Sequence, residues 1–173
     1  MLKAETFPTP TSSTKPTAAA ETDAADFARR YGPCRTDGAR CAGCPKLGRR
    51  WSCPPFEGDD PFSAALAAMP GARLRLMAFE GDAEGADSAT LALEKDGAAA
   101  FTAGGCRLCE PADCARALGE PCRHPERMRP SLQACGLDLT AAARDLLGIT
   151  LQWGPDAKTI FITGLLIPQN EKS

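Results

Sequence analysis

The chain has 173 residues, 43% of them hydrophobic, with a formal net charge of −2. That length suffices for one domain burying roughly two-thirds of its unfolded surface without cross-links, and the charge balance gives no global attraction to nucleic acid or membrane. No apolar run reaches the ~20 residues of a membrane helix, and the N-terminus, MLKAETFPTPTSSTKPTAAA, lacks the apolar block of a secretion signal; the expected location is the cytoplasm.

Residues 1–21 are rich in Thr, Pro, Ser and Ala and read as a disordered low-complexity tail, leaving 22–173 as the folded, cysteine-rich domain. In DAADFARRYG the spacing of Ala25, Phe27 and Ala28 predicts a short helix that Gly32 stops. The next segment, to Pro55, holds too much proline and glycine for regular structure. DDPFSAALAAMPG predicts a helix with Asp60 as N-cap, Pro61 in the first turn and Pro70–Gly71 at its end. ARLRLMAFE alternates Leu74, Leu76 and Ala78 with Arg73 and Arg75, the pattern of a half-buried strand. DSATLALEKDGAAAFTAGG fits either a hairpin turning at Asp96–Gly97 or a helix from Ser88 followed by a strand, and the second is preferred. Helical turns are expected around Pro125 to Ala134, a helix at TAAARDLLG, and a closing antiparallel pair from ITLQWG and TIFITGLLI. Strands and helices do not alternate regularly. The expected fold is therefore α+β, one domain with a small mixed or antiparallel sheet, flanking helices and two irregular cysteine lobes at its margin.

Nine cysteines punctuate this pattern: Cys34, Cys41, Cys44, Cys53, Cys106, Cys109, Cys114, Cys122 and Cys135. An odd count in a reducing compartment argues against a disulfide framework. Most of them gather in two short stretches, CAGCPKLGRRWSCPP and GGCRLCEPADCARALGEPCRHPE. Thiolates at short spacing are what soft metals select. The second set reads Cys106-x2-Cys109-x4-Cys114-x7-Cys122 and the first Cys34-x6-Cys41-x2-Cys44-x8-Cys53, one CxxC in each. Structural zinc usually takes two such knuckles. A cubane cluster needs four thiolates at separate vertices and tolerates irregular spacing, so a 4Fe–4S cluster is the preferred cofactor and zinc the alternative.

Arg29, Arg30, Arg35, Arg40, Lys46, Arg49 and Arg50 surround the first set, either as cations near an anionic cluster or as a solvated basic face. Arg107 and Arg123 each adjoin a cysteine of the second set. His124, the only histidine, rules out mechanisms needing paired histidines. It reads first as the residue entering the helix that Pro125 starts, and otherwise as a donor to sulfur or a ligand.

These two stretches, with W-S-C-P-P in the first and C-x-L-C, C-A, G-x-P-C-R-H-P-E and R-P-S in the second, resemble a prokaryotic family of predicted metal-binding proteins, a domain of unknown function. The resemblance implies Cys41, Cys44, Cys53, Cys106, Cys109, Cys114 and Cys122 as metal ligands, with Trp51, Pro54, Arg123, His124 and Pro125 as supporting positions; Arg107, Arg123 and His124 are the candidate contacts to the cofactor. Leu47 stands where the family tends to carry tyrosine, and Cys34 falls outside the shared pattern, leaving the fourth ligand of the first set open.

Three functions remain in view. The first is a redox accessory carrying one or two clusters and meeting a redox partner protein. The second is an enzyme whose iron at Cys41, Cys44 and Cys53 keeps an open position. The third is a zinc-stabilised interaction module. The chain contains no GxGxxG, P-loop, GxSxG or CxxxCxxC motif.

Overall fold

A computed structural model describes residues 15–32, 41, 43–152 and 159–169. Its elements in chain order are β1 (Ala18–Asp23), α1 (Ala24–Tyr31), α2 (Pro61–Ala68), β2 (Arg73–Glu80), α3 (Ala83–Leu91), β3 (Ala99–Phe101), a 3-10 turn (Ala115–Leu118), α4 (Leu139–Leu147) and β4 (Ile160–Ile167). The strands form one antiparallel sheet in the order β1-β2-β4-β3. The fold is α+β, as the pattern predicts, and the sheet is wholly antiparallel.

Alternation decides which residues face which layer. Leu74, Leu76 and Ala78 of β2, with Ile162 and Leu166 of β4, join Phe27, Tyr31, Phe62, Phe101 and Leu132 in the larger core. Met77, Phe79, Ala100 and Leu165 point the other way, onto Ala86 of α3. The larger core is aromatic at its centre: the Phe62 ring meets Phe101 edge-on at 5.4 Å and lies 6.3 Å from Phe27. Each such buried side chain stabilises by about 1.5–3 kcal/mol through removal from water. Gly164 makes the close packing possible, since a Cβ there would fall 2.6 Å from Cδ1 of Leu132.

Among the described residues each of α1 to α4 begins on an aspartate that accepts a first-turn N–H: Asp23 from Asp26, Asp60 from Phe62 and Ser63, Asp82 from Gly85, and Asp138 from Ala141. A cap of this kind is worth about 1 kcal/mol. The outer edge of β3 is closed by a side chain: Glu94 accepts the Ala100 N–H at 2.8 Å and holds Arg129 through both carboxylate oxygens.

Several sequence expectations move. β1 begins at Ala18, inside the stretch assigned to the tail, because Ala18–Asp23 can pair with β2 from Ala78 to Arg73; residues 1–14 lie outside the described ones. On α1 it is Ala24, Phe27 and Tyr31 that are buried, while Ala25 is exposed. The helix expected from Ser88 starts at Ala83, where Asp82 supplies the cap. Pro125 to Ala134 forms separate turns and no helix. TIFITGLLI is a strand, but ITLQWG is not its partner: β2 and β3 occupy both sides of β4, and Ile149–Gln152 is not in a strand.

Candidate metal centre

The first cysteine segment lies between α1 and α2 and is built of consecutive turns. The Cys44 N–H donates to the Cys41 carbonyl at 3.0 Å, Leu47 to Cys44 at 3.1 Å, Cys53 to Arg50 at 3.0 Å, and Gly48 to Pro54 at 2.9 Å. Prolines and glycines leave the backbone free to turn this often. The winding places Cys41, Cys44 and Cys53 on the wall of one cavity of about 220 Å³, beside Lys46, Pro54 and Gly105. Burial pushes the Cys53 thiol up, and a Cys44 thiolate adds to this; the Ser52 hydroxyl, Lys46 and Arg50 pull the other way without prevailing.

The second segment leaves β3 and reaches α4. Its CxxC bends through a turn in which Glu110 N–H meets the Arg107 carbonyl, and Cys114 accepts from Ala117 to open the 3-10 turn that Gly119 ends. Cys106, Cys109 and Cys114 line a second cavity, of about 310 Å³, with Lys46, Arg49 and Arg50. Burial raises the Cys106 thiol, a backbone N–H at Leu108 lowers it, and thiolates at Cys109, Cys122 and Cys114 raise it further. Cys122, though not on that cavity's wall, therefore belongs to the same electrostatic neighbourhood. None of the described cysteines is in a disulfide. Among the described residues no three His, Cys, Asp or Glu side chains are grouped to hold a single metal ion.

The two segments are interlocked. The Cys106 N–H donates to the buried Ser52 hydroxyl at 2.9 Å. Arg50 donates to the Cys106 carbonyl and pairs with Glu110 at 2.9 Å. Arg116, from the 3-10 turn, donates to the carbonyls of Arg50, Cys53 and Pro55 and lies over the Trp51 ring at 5.0 Å. The Trp51 indole in turn donates to the Glu120 carbonyl at 3.0 Å. Gly105 seals the contact: a Cβ there would meet Lys46, Arg50 and the Cys53 sulfur at 3.3–3.5 Å. Lys46 lines both cysteine cavities.

The flanking residues divide. Arg107 is anchored away from sulfur, in an ion pair with Asp87 of α3, whose carboxylate also accepts the Ala103 N–H at 2.6 Å. Arg123 pairs with Glu120 at 3.1 Å and reaches the Asp113 carbonyl, on the surface. The His124 carbonyl accepts from Arg127 and Met128, so His124 opens a turn through Pro125 where a helix was expected. Of the basic cluster, Arg29 and Arg30 answer Asp26 and Asp145 on the outer face of α1, whereas Lys46, Arg49 and Arg50 stand at the cysteines. Cys34, Arg35 and Arg40 lie outside the described residues. Cys135 stands apart, packed on the larger core near Phe62, and burial pushes its thiol up to about 12.

Ser52, Gly105 and Arg116 were not singled out by sequence reading. The Gly104–Gly105 doublet immediately before Cys106 was the available signal of close backbone approach. Ser52 and Arg116 carry no local signature.

Residues 83–167 match the family model described as Predicted metal-binding protein (DUF2284). No curated protein and no solved structure matches the chain. The matched stretch runs from the first residue of α3 to the last of β4 and contains the whole second cysteine set, with the first set ahead of it. Residues 83–167 are thus similar to a family of predicted metal-binding proteins (DUF2284), a metal-binding domain of unknown function.

Proposed function

We propose that the metal is iron, held as 4Fe–4S clusters at the two cysteine sets, and that the protein is a redox accessory exchanging electrons with a partner protein. The observation that carries this reading is the arrangement of the sulfurs: each set spreads three cysteines along the wall of its own cavity. Thiolates sharing one zinc at about 2.3 Å would sit about 3.8 Å from one another, converging on a point. An all-sulfur donor set spread round a space suits a cluster.

Cys106, Cys109, Cys114 and Cys122 would hold one cluster, and Cys41, Cys44 and Cys53 the other. A cluster bound there supplies one-electron transfer. The chain's own residues do the rest. Lys46, Arg49 and Arg50 bring positive charge to the cavity walls, which favours thiolate over thiol. Ser52 fixes the backbone of Cys106, and Arg116 holds the Arg50–Pro55 loop in shape. Pro45 and Pro54 add apolar cover at the first set, keeping water from part of it.

A second reading, an enzyme with an open iron position, is favoured by one observation. The part of the first cavity's wall that comes from outside the first segment consists of Gly104, Gly105, Ser131, Gln133 and Ala134, and among the described residues no fourth cysteine joins Cys41, Cys44 and Cys53 there.

The test is purification without oxygen, followed by iron, acid-labile sulfide and zinc analysis. The expected preparation is brown, with iron and sulfide in comparable amounts. A colourless protein with stoichiometric zinc and no sulfide, from cells supplied with iron, would refute the proposal.

A further inference from the structure

Next to the first cysteine cavity lies another, of about 290 Å³, that contains no cysteine. It opens where β4 begins, between the starts of α3 and α4, with Ala83, Thr140 and Ile160 at its wall. The two cavities share Lys46, Gly104, Ser131 and Gln133, so these residues form a partition between them.

The two ends of this second space differ in chemistry. Lys46, Arg107 and Gln133 contribute the polar side, while Leu151, Ile160 and Ile162, which all pack with the larger core, contribute an apolar one. Among the described residues the lining includes no carboxylate. Arg107 is already answered by Asp87. Among the described residues no hydrogen bond or ion pair engages the Lys46 ammonium or the Gln133 amide. The Lys46 charge, which also acts on Cys53 across the partition, and the Gln133 amide thus stand beside an apolar surface. The volume is at the lower end of ligand pockets, roughly 300–1,000 Å³.

We infer that this cavity binds a small monoanion with an apolar body, a short-chain carboxylate, its charged end on Lys46 and Gln133 and its chain on Leu151, Ile160 and Ile162. Burying an apolar chain supplies affinity, and a charge-assisted hydrogen bond to the ammonium supplies the preference for a carboxylate. The bound carboxylate lies against the partition, next to Cys41, Cys44 and Cys53. This last step rests on the metal reading given above; the binding itself does not. A molecule in this place gives an open metal position a neighbour to act on, or gives a closed one a ligand that adjusts its surroundings.

The experiment is calorimetric titration of the full chain, purified without oxygen, with hexanoate, 1-hexanol, hexylammonium and acetate, metal content being measured in every preparation. Hexanoate is expected to bind about tenfold more tightly than hexanol, the equivalent of one charge-assisted hydrogen bond. Hexylammonium and acetate are expected to bind more weakly than hexanoate. Lys46→Gln removes the preference for hexanoate over hexanol, Lys46→Arg keeps it, and Gln133→Leu weakens hexanoate a few-fold with the metal content unchanged. Leu151→Asn weakens hexanoate and hexanol alike. Equal binding of hexanoate and hexanol, equal binding of hexanoate and acetate, or an undiminished preference in Lys46→Gln overturns the inference. Full metal with no hexanoate preference defeats this inference alone. Hexanoate binding by a protein lacking iron and sulfide defeats the cluster reading alone.

Discussion

Cys122 and Cys135 are both half-buried thiols late in the chain, yet their surroundings assign them opposite parts. Cys122 acts electrostatically on Cys106, together with Cys109 and Cys114. Cys135 packs on the larger core, where burial raises its thiol to about 12, so it carries almost no thiolate at neutral pH. Cys122→Ala is expected to lose metal, whereas Cys135→Ala keeps it and costs about 1 kcal/mol of packing; equal metal loss in both would place Cys135 among the ligands. Glu94 offers a test at the same scale. Burial raises its carboxyl, but Arg129 and the Ala100 N–H outweigh that and leave it below its usual range. A lowered folded value means that its stabilisation is complete above the ordinary carboxylate range, about pH 4–5, and is lost as pH falls through the folded value. Glu94→Gln is therefore expected to lower stability by about 2 kcal/mol at pH 7. The gap to wild type in chemical denaturation should close as the solution is made acidic, and a gap independent of pH would contradict this.

Between elements, the decisive contact joins the two cysteine segments. Gly105 needs no unusual backbone angle; what it needs is room, since Lys46, Arg50 and the Cys53 sulfur crowd its Cβ direction. Overpacking such a site typically costs 1–3 kcal/mol. Gly105→Ala asks only for small shifts of the Lys46 and Arg50 stems and should keep nearly full metal. Gly105→Val should push the segments apart and lower the metal content of the whole protein, measured per chain after anaerobic purification. Full metal in Gly105→Val would show that the segments hold their metals independently. Arg116 works on the same joint, donating to three carbonyls of the first segment from a turn in the second. The helix at Asp60 and the strand from Arg73 were legible because each is signalled within a few residues, by an aspartate cap or by alternation. The joint was not, because its hydrogen-bond partners are separated by 54 to 69 residues.

For the whole molecule, the open issue is whether the first set has three cysteine ligands or four. Cys34 lies outside the described residues and outside the family-matched stretch. Cys34→Ser is expected to leave iron content and the electron paramagnetic resonance of the reduced protein unchanged. Loss of one cluster would make Cys34 a ligand and end the open-position reading. The sequence alone determined the α+β class, the Asp60-capped helix, the alternating central strand and the two sulfur-rich segments, since these depend on neighbours in the chain. Only the tertiary structure decided that Ala18–Asp23 is an edge strand and that β4 lies between β2 and β3, leaving no place beside it for ITLQWG. It alone decided that Arg107 answers Asp87, that Lys46 stands between both cysteine cavities, and that a third cavity adjoins the first set. Strand pairing, ion pairing and cavity walls bring together residues far apart in sequence, and nothing in the local pattern of either partner specifies the other.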